Sequence, residues 1–351
     1  MSTIKIGMIG AGAISPTHCR GILAHPQAQL VAVADASEER ARALAREFAI
    51  PRVYTDIKEL LADSSIDAVS IALPTHLHAV IAEAALDAGK NVHLDKPFVM
   101  NQGEATRLMK KAASKKKLLT VGMNQRFTPE AQAVRALVER GDLGEIYHAK
   151  AFWCRRAGSP KFGTWFTDKT KSGGGALLDI GVHVLDLALS LVGNFKPLTV
   201  SGFSYTKFGN RGIGEGGWGK SERGEMIFTV DDYAGALIRL TGGVTLQLEA
   251  SWIRHQAARD YHDVELYGTE GGASVFPAKL FQFIEEGKGY HAVEPAGLPV
   301  RYPHFNRHYN WIDAMLGEAP IECTLDQSYA VQRIIDAVYE SARTGNEVRL
   351  T

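Results

Sequence analysis

Cysteine is scarce in this sequence. The three thiols, Cys19, Cys154 and Cys323, lie too far apart for a CxxC metal pair or a disulfide framework. Inert thiols in a reducing compartment are expected, so the protein reads as cytoplasmic. Net charge is missing as well. Lys and Arg number 39 and so do Asp and Glu, which leaves no general attraction to nucleic acid or to an anionic membrane. The cluster Lys110, Lys111, Lys115, Lys116 and Lys117 reads as a solvated helix face and the loop after it. No apolar run is long enough to span a bilayer. The first residues enter a strand at once, with no basic and then apolar leader, so no signal peptide is expected. Internal repeats and long low-complexity segments are also lacking.

What is present suits a globular protein. Apolar residues make up 45% of the chain and charged residues 22%, enough to build a core without metal or disulfide staples. A length of 351 residues argues for two domains. Up to Gly122, strand-like and helix-like segments alternate. Strands are expected at Ile4 to Ile9, Leu30 to Ala34, Ala68 to Leu73, Asn91 to Leu94 and Leu118 to Val121, with helices between them. This is the signature of a Rossmann-type, doubly wound parallel sheet over residues 1–122. Residues 123–351 change character. After two helices come bunched strands, including a hairpin about Thr241-Gly242-Gly243. An α+β domain with a largely antiparallel sheet is expected there. The glycine-dense stretch from Phe208 to Lys220 reads as a loop.

The first strand runs into Gly10-Ala11-Gly12-Ala13-Ile14-Ser15, which opens a helix. Gly10 permits a tight turn. Gly12 lets backbone approach a pyrophosphate, and the helix start at Ala13 and Ile14 offers free N–H groups. Ser15 stands where the full fingerprint has a third glycine. Asp35 follows about twenty residues later, where a carboxylate bonds ribose hydroxyls and repels a 2′-phosphate. NAD is therefore expected over NADP, although Arg40 and Arg42 lie near enough to receive a phosphate.

Two further segments carry chemistry. The ends of strands in doubly wound sheets line the ligand crevice. There the sequence places Leu73, Pro74, Thr75 and His78, then Asp95, Lys96 and Pro97. A Lys-Pro bond at this place can be cis and could fix the direction of the lysine. Later comes Gly173-Gly174-Gly175, with Asp179 and His183 four apart on one helix face and Asp186 beyond them. Gly181 within that helix costs about 1 kcal/mol relative to Ala and signals a close approach. Asp179 and His183 could form a structural hydrogen bond or ligate zinc, but no third ligand has suitable spacing, so no metal is expected.

Together these segments resemble the Gfo/Idh/MocA family, named for glucose–fructose oxidoreductase, inositol dehydrogenase and a rhizopine-catabolism protein. The resemblance runs from Lys5 to about Leu350. It rests on the glycine loop, on Ala88 to Pro97, on Gly122-Met123-Asn124-Gln125-Arg126-Phe127 and on Gly173 to Asp186. It implies a Rossmann domain followed by an open-faced, mostly antiparallel sheet, assembled as a homodimer or homotetramer. It implies an NAD-dependent dehydrogenase acting on a secondary hydroxyl of a sugar or cyclitol, with Lys96, Asp179 and His183 as catalytic residues. Asp95 stands where the family has Glu, and the resemblance places Trp165 beside the nicotinamide. Asn124 is a candidate for the cofactor. Arg126, Trp153, Arg155 and Tyr309 are candidates for the substrate pocket, the two aromatics reading equally as core. Two rivals use similar parts: a redox-neutral glycoside-cleaving enzyme with tightly held NAD, and a non-catalytic NAD-binding regulator.

Overall fold

A computed structural model describes residues 3–218, 226–284, 289–295, 297–298, 301–302 and 306–350. The chain forms two compact units, residues 1–123 with 306–329, and residues 124–305 with 330–351.

In the first unit, strands β1 (Ile4–Ile9), β2 (Ala28–Ala34), β3 (Arg52–Tyr54), β4 (Ala68–Ile71), β5 (Asn91–Leu94) and β6 (Leu119–Val121) pair in parallel in the order β3-β2-β1-β4-β5-β6. Strands β4 and β6 and most of β1, β2 and β5 are buried, while the edge strand β3 is half-buried. The connecting helices are α1 (Ser15–Leu23), α2 (Glu38–Phe48), α3 (Ile57–Ala62), α4 (Thr75–Asp87) and α5 (Gln102–Lys115). Local residues mark their ends. Ser37 accepts the Arg40 N–H at the start of α2, and Gly89, at φ +74°, follows α4. The order reverses direction between β1 and β4, the switch point where such sheets bind ligands.

The second unit holds α6 (Pro129–Arg140), α7 (Lys169–Ser172), a π-turn at Leu177–Gly181 and α8 (Val182–Val192). Its sheet has the order β14-β13-β12-β11-β7-β10-β9-β8-β15. The strands are β7 (Ile146–Arg155), β8 (Pro197–Tyr205), β9 (Tyr233–Leu240), β10 (Thr245–Ser251), β11 (Asp260–Gly268), β12 (Gly272–Ser274), β13 (Lys279–Ile284), β14 (Gly289–Val293) and β15 (Val348–Arg349). Pairing is antiparallel except between β7 and β10. The expected hairpin is β9-β10, with Gly242 and Gly243 at φ +75° and +82°. The helical stretch 169–192 is apolar enough by composition to cross a bilayer, contrary to the sequence reading, but 78% of its most apolar window is buried as the core behind the sheet.

Helix α9 (Arg307–Leu316) returns to the first unit, against α1, so residues 306–329 part from the 123–351 grouping read from the sequence. Helix α10 (Leu325–Thr344) follows it. In the glycine-dense loop, Gly209–Arg211 forms a helical turn and Lys161 N–H donates to Trp218 O at 2.9 Å; Lys220 lies outside the described residues.

Candidate active site

The glycine loop of the first unit is shaped by close approach. Gly10 has φ +96°, and a Cβ there would lie 2.2 Å from the Ala72 carbonyl oxygen, so no other residue fits. A Cβ on Gly12 would meet nothing within 4 Å, which leaves that side of the backbone open for a ligand. Ser15, fully buried, donates its hydroxyl to Gly10 O at 2.9 Å and so stabilises the turn from the place of the third glycine. Ala11 N–H donates to Asp35 Oδ2 at 2.8 Å, fixing the loop to the end of β2. Asp35 Oδ1 accepts from Ser37 N–H at 2.8 Å and from Arg40 at 3.0 Å. Arg42 pairs with Glu38 at 2.6 Å. Both arginines that could have received a 2′-phosphate are therefore engaged with carboxylates.

At the carboxyl ends of β4 and β5 the structure places Leu73, Pro74, Thr75, Asp95 and Lys96. Thr75 opens α4, and its buried hydroxyl has no hydrogen-bond partner within the described protein residues. That fits a helix N-terminus facing a bound group. The Lys96–Pro97 bond is cis. His78 is fully buried, with Nδ1 2.9 Å from Pro97 O and Nε2 2.9 Å from Leu73 O. The expected direct contact of His78 with the cofactor gives way to this backbone role, because both ring nitrogens already face carbonyls.

Asp95 also differs from its expected role. Its Oδ1 lies 3.2 Å from the Arg307 guanidinium and 3.4 Å from His18 Nε2, so the carboxylate is turned into the protein. Burial works to raise its pKa, but His18, Arg307 and Lys96 outweigh that and hold it well below the usual carboxylate range. The Arg307 guanidinium also lies 3.0 Å from His18 Nε2, and His18 Nδ1 lies 2.9 Å from the Ser70 hydroxyl. The imidazoles of His18, His93 and His308 cluster there, with potential ligand atoms within 4.8 Å of one another. The fixed charge of Arg307 among them opposes a metal cation. Tyr309, an expected pocket residue, packs on His25, with ring centroids 4.3 Å apart.

In the second unit the Gly173–Gly175 run is required by packing. A Cβ on Gly174 would lie 2.1 Å from the Tyr339 hydroxyl, and one on Gly175 1.9 Å from Asp231 O. Asp231 accepts the N–H groups of Gly175 and Leu177 at 2.7 and 3.0 Å, and Tyr339 donates to it at 2.7 Å. This caps the helical segment that carries Asp179 and His183. The segment opens with a π-turn where the sequence suggested plain α-helix, an irregularity common at functional sites. Gly181 supplies the close approach it signalled: its Cβ would be 2.8 Å from Ala250 Cβ on β10. Trp252, fully buried just after β10, donates its indole N–H to Asp179 Oδ2 at 3.0 Å.

The His183 ring lies 5.9 Å from Trp153. Trp153 Nε1 and Arg155 Nε both donate to Asp260, at 2.9 and 3.1 Å, and the guanidinium lies over the indole. Trp153 thus lies beside His183, with Arg155 over its ring. Arg126 is not available to a substrate as expected. It forms a buried pair with Asp186, at 2.7 and 2.5 Å, with both side chains 1% exposed. Asn124 keeps a buried Oδ1 with no partner within the described protein residues. Trp165 stacks on Phe166 at 3.7 Å. A cavity of about 570 Å³ on the sheet, lined by Tyr147, Tyr261, Tyr267, Phe276 and Phe283 among others, contains none of the candidate residues. The sequence reading missed His18, Arg307, Asp231, Trp252 and Tyr339. Their partners are distant in the chain, and no local pattern marks them.

Comparison with known proteins identifies the family. Residues 4–123 match the model of an oxidoreductase family with an NAD-binding Rossmann fold, and residues 131–274 match the Gfo/Idh/MocA C-terminal domain. D-glucoside 3-dehydrogenase of Escherichia coli strain K12 is 31% identical over 99% of this chain and 98% of its own length. Inositol 2-dehydrogenase of Rhizobium meliloti is 33% identical over 57% of this chain and 58% of its own. Among solved structures, levoglucosan dehydrogenase in complex with NADH and L-sorbose covers the whole of both chains at 26% identity, with a TM-score of 0.85. The chain belongs to the Gfo/Idh/MocA family of oxidoreductases, and its first unit is that family's NAD-binding Rossmann domain.

Proposed function

We propose that the protein oxidises a secondary hydroxyl of a sugar or cyclitol, passing hydride to NAD. The observation that carries this reading is the arrangement on the capped helix. Asp179 is held by the buried indole of Trp252, and His183 stands one turn on, beside the Trp153 ring. A carboxylate suits a vicinal hydroxyl, and an imidazole suits the departing proton. The dehydrogenase names of the relatives support the same substrate class.

In this reading Gly10, Gly12, Ala13, Ile14 and Asp35 hold the dinucleotide, with Leu73, Pro74, Thr75, Asn124 and Trp165 around it. NAD, when bound, accepts the hydride. His183 takes the hydroxyl proton during oxidation and returns it in reduction. Lys96 donates a hydrogen bond to the same oxygen and stabilises the charge that develops there. Asp179 binds the neighbouring hydroxyl and keeps the substrate in register. The engagement of Arg40 with Asp35 supports NAD over NADP. Three buried thiols support a reducing, cytoplasmic setting; burial pushes Cys19 up to about 12 and Cys154 to about 11, so both stay protonated. Exposed Tyr147, Tyr261 and Phe283 on the sheet support assembly of copies through that face.

The test is absorbance at the reduced-nicotinamide band, with purified protein, NAD or NADP, and a panel of sugars, glycosides and inositols. Signal with NAD and one class of polyol is expected. Cleavage of a glycoside with no net reduction, and NAD released only on denaturation, would replace this reading with the redox-neutral one.

A further inference from the structure

His78 lies near the start of α4 and is fully buried. Its Nδ1 is 2.9 Å from Pro97 O and 3.1 Å from Phe98 O, and its Nε2 is 2.9 Å from Leu73 O. A carbonyl oxygen only accepts, and a neutral imidazole carries one N–H. A neutral ring can therefore bond one side, while its lone pair faces a carbonyl lone pair on the other. Only a ring with both protons satisfies the oxygens on both edges.

The two sides belong to different loops. Leu73 lies in the loop that leaves β4, and Pro97 and Phe98 directly follow Lys96. Phe98 and Val99 are buried, so the far end of the lysine turn is anchored in the core. We propose that His78 is a positioning residue for Lys96: as an imidazolium it ties the loop after β4 to the turn that carries the lysine. This inference rests on the role given to Lys96 above.

Two influences oppose each other at the ring. Burial is the stronger and sets the ring's pKa below the ordinary imidazole value, while the carbonyls of Leu73, Phe98 and Pro97 and the carboxylate of Asp95 offset part of that. Asp95 is the charged group whose field reaches the ring, and it is itself held between His18 and Arg307. The tie is complete when His78 holds both protons, and one half is lost as pH rises through its pKa.

The direct test is ¹⁵N NMR of the histidine rings in the NAD-loaded protein, with His78 assigned by its absence in His78→Gln. Two protonated ring nitrogens at the acid end of the pH range of turnover, with one proton lost as pH rises, are expected. A ring with one bare nitrogen throughout that range overturns the proposal, whatever the activity. In parallel, kcat of His78→Phe is expected to fall at least about tenfold, the scale of a misplaced catalytic group. The NAD dissociation constant is expected to stay within about threefold on the same grounds, and His78→Gln, which keeps a donor, is expected to recover part of the loss. An unchanged kcat, or loss of NAD affinity in step with kcat, counts against the tie. If Lys96→Met keeps full turnover, the role of Lys96 fails while the NMR result still decides the state of His78.

Discussion

Trp252 donates its indole N–H to Asp179 at 3.0 Å across two elements of the second unit. The donor is wholly buried, and the acceptor sits on the π-turn that leads into α8. A hydrogen bond to a charged group contributes about 1.5–3 kcal/mol. Its loss would free Asp179 to turn away from a bound hydroxyl. Trp252→Phe is therefore expected to lower kcat/KM by about tenfold or more, mostly through a higher KM. Steady-state kinetics with the identified substrate measure this, and an unchanged KM would remove Trp252 from the account.

Lys96 and His183 make a second test. Lys96→Met is expected to lower kcat by roughly 10²–10³, the usual loss for one donor to a developing oxyanion. His183→Ala is expected to lower it by roughly 10²–10⁴, the usual contribution of a general base. Calorimetric titration should show NAD binding nearly intact in both variants. Turnover close to that of the parent would remove either residue from its role.

Asp35 joins the glycine loop to the end of β2 through Ala11 N–H. In Asp35→Ala the loop loses that anchor and, in the proposed reading, a ribose hydroxyl loses its acceptor. The NAD dissociation constant is expected to rise by about tenfold or more. Arg40, released from the carboxylate, is expected to narrow the gap between NAD and NADP. Comparing kcat/KM for the two cofactors checks both effects.

The pH dependence of stability follows from Asp95. Its folded pKa lies below the unfolded value, so the unfolded chain takes up a proton first as pH falls. The stability it contributes is complete above the unfolded pKa of about 3.9 and is lost as pH drops through the folded value. The parent is expected to be more stable than Asp95→Asn at neutral pH, and the difference should shrink below about pH 4. Urea unfolding of both proteins across acid pH measures the trend; a constant difference would mean that the ionised carboxylate is not the source.

Much of the fold was legible because its signals are local. Continuous apolar strands mark a sheet covered on both faces, and Ser37 and Gly89 mark helix ends within a few residues of where they act. Gly181 announced a close approach that Ala250 fulfils. The sites were less legible wherever a buried polar group takes its partner from far along the chain. Arg126 looked available until Asp186, 60 residues on, took it up. Asp95 finds Arg307 after 212 residues, and Asp179 finds Trp252 after 73. The π-turn was hidden for a related reason. It arises where the helix is capped by Asp231 and pressed against β10, and its own sequence reads as ordinary helix.

The most direct test of hydride transfer uses a substrate that carries deuterium at the hydroxyl-bearing carbon. The purified protein turns it over with NAD, and the nicotinamide product is analysed by mass spectrometry. The expected result is reduced nicotinamide that has gained one deuterium, with slower turnover than for the unlabelled compound. Reduced nicotinamide without the label, or conversion of the substrate with no reduced nicotinamide, would contradict hydride transfer from that carbon to NAD.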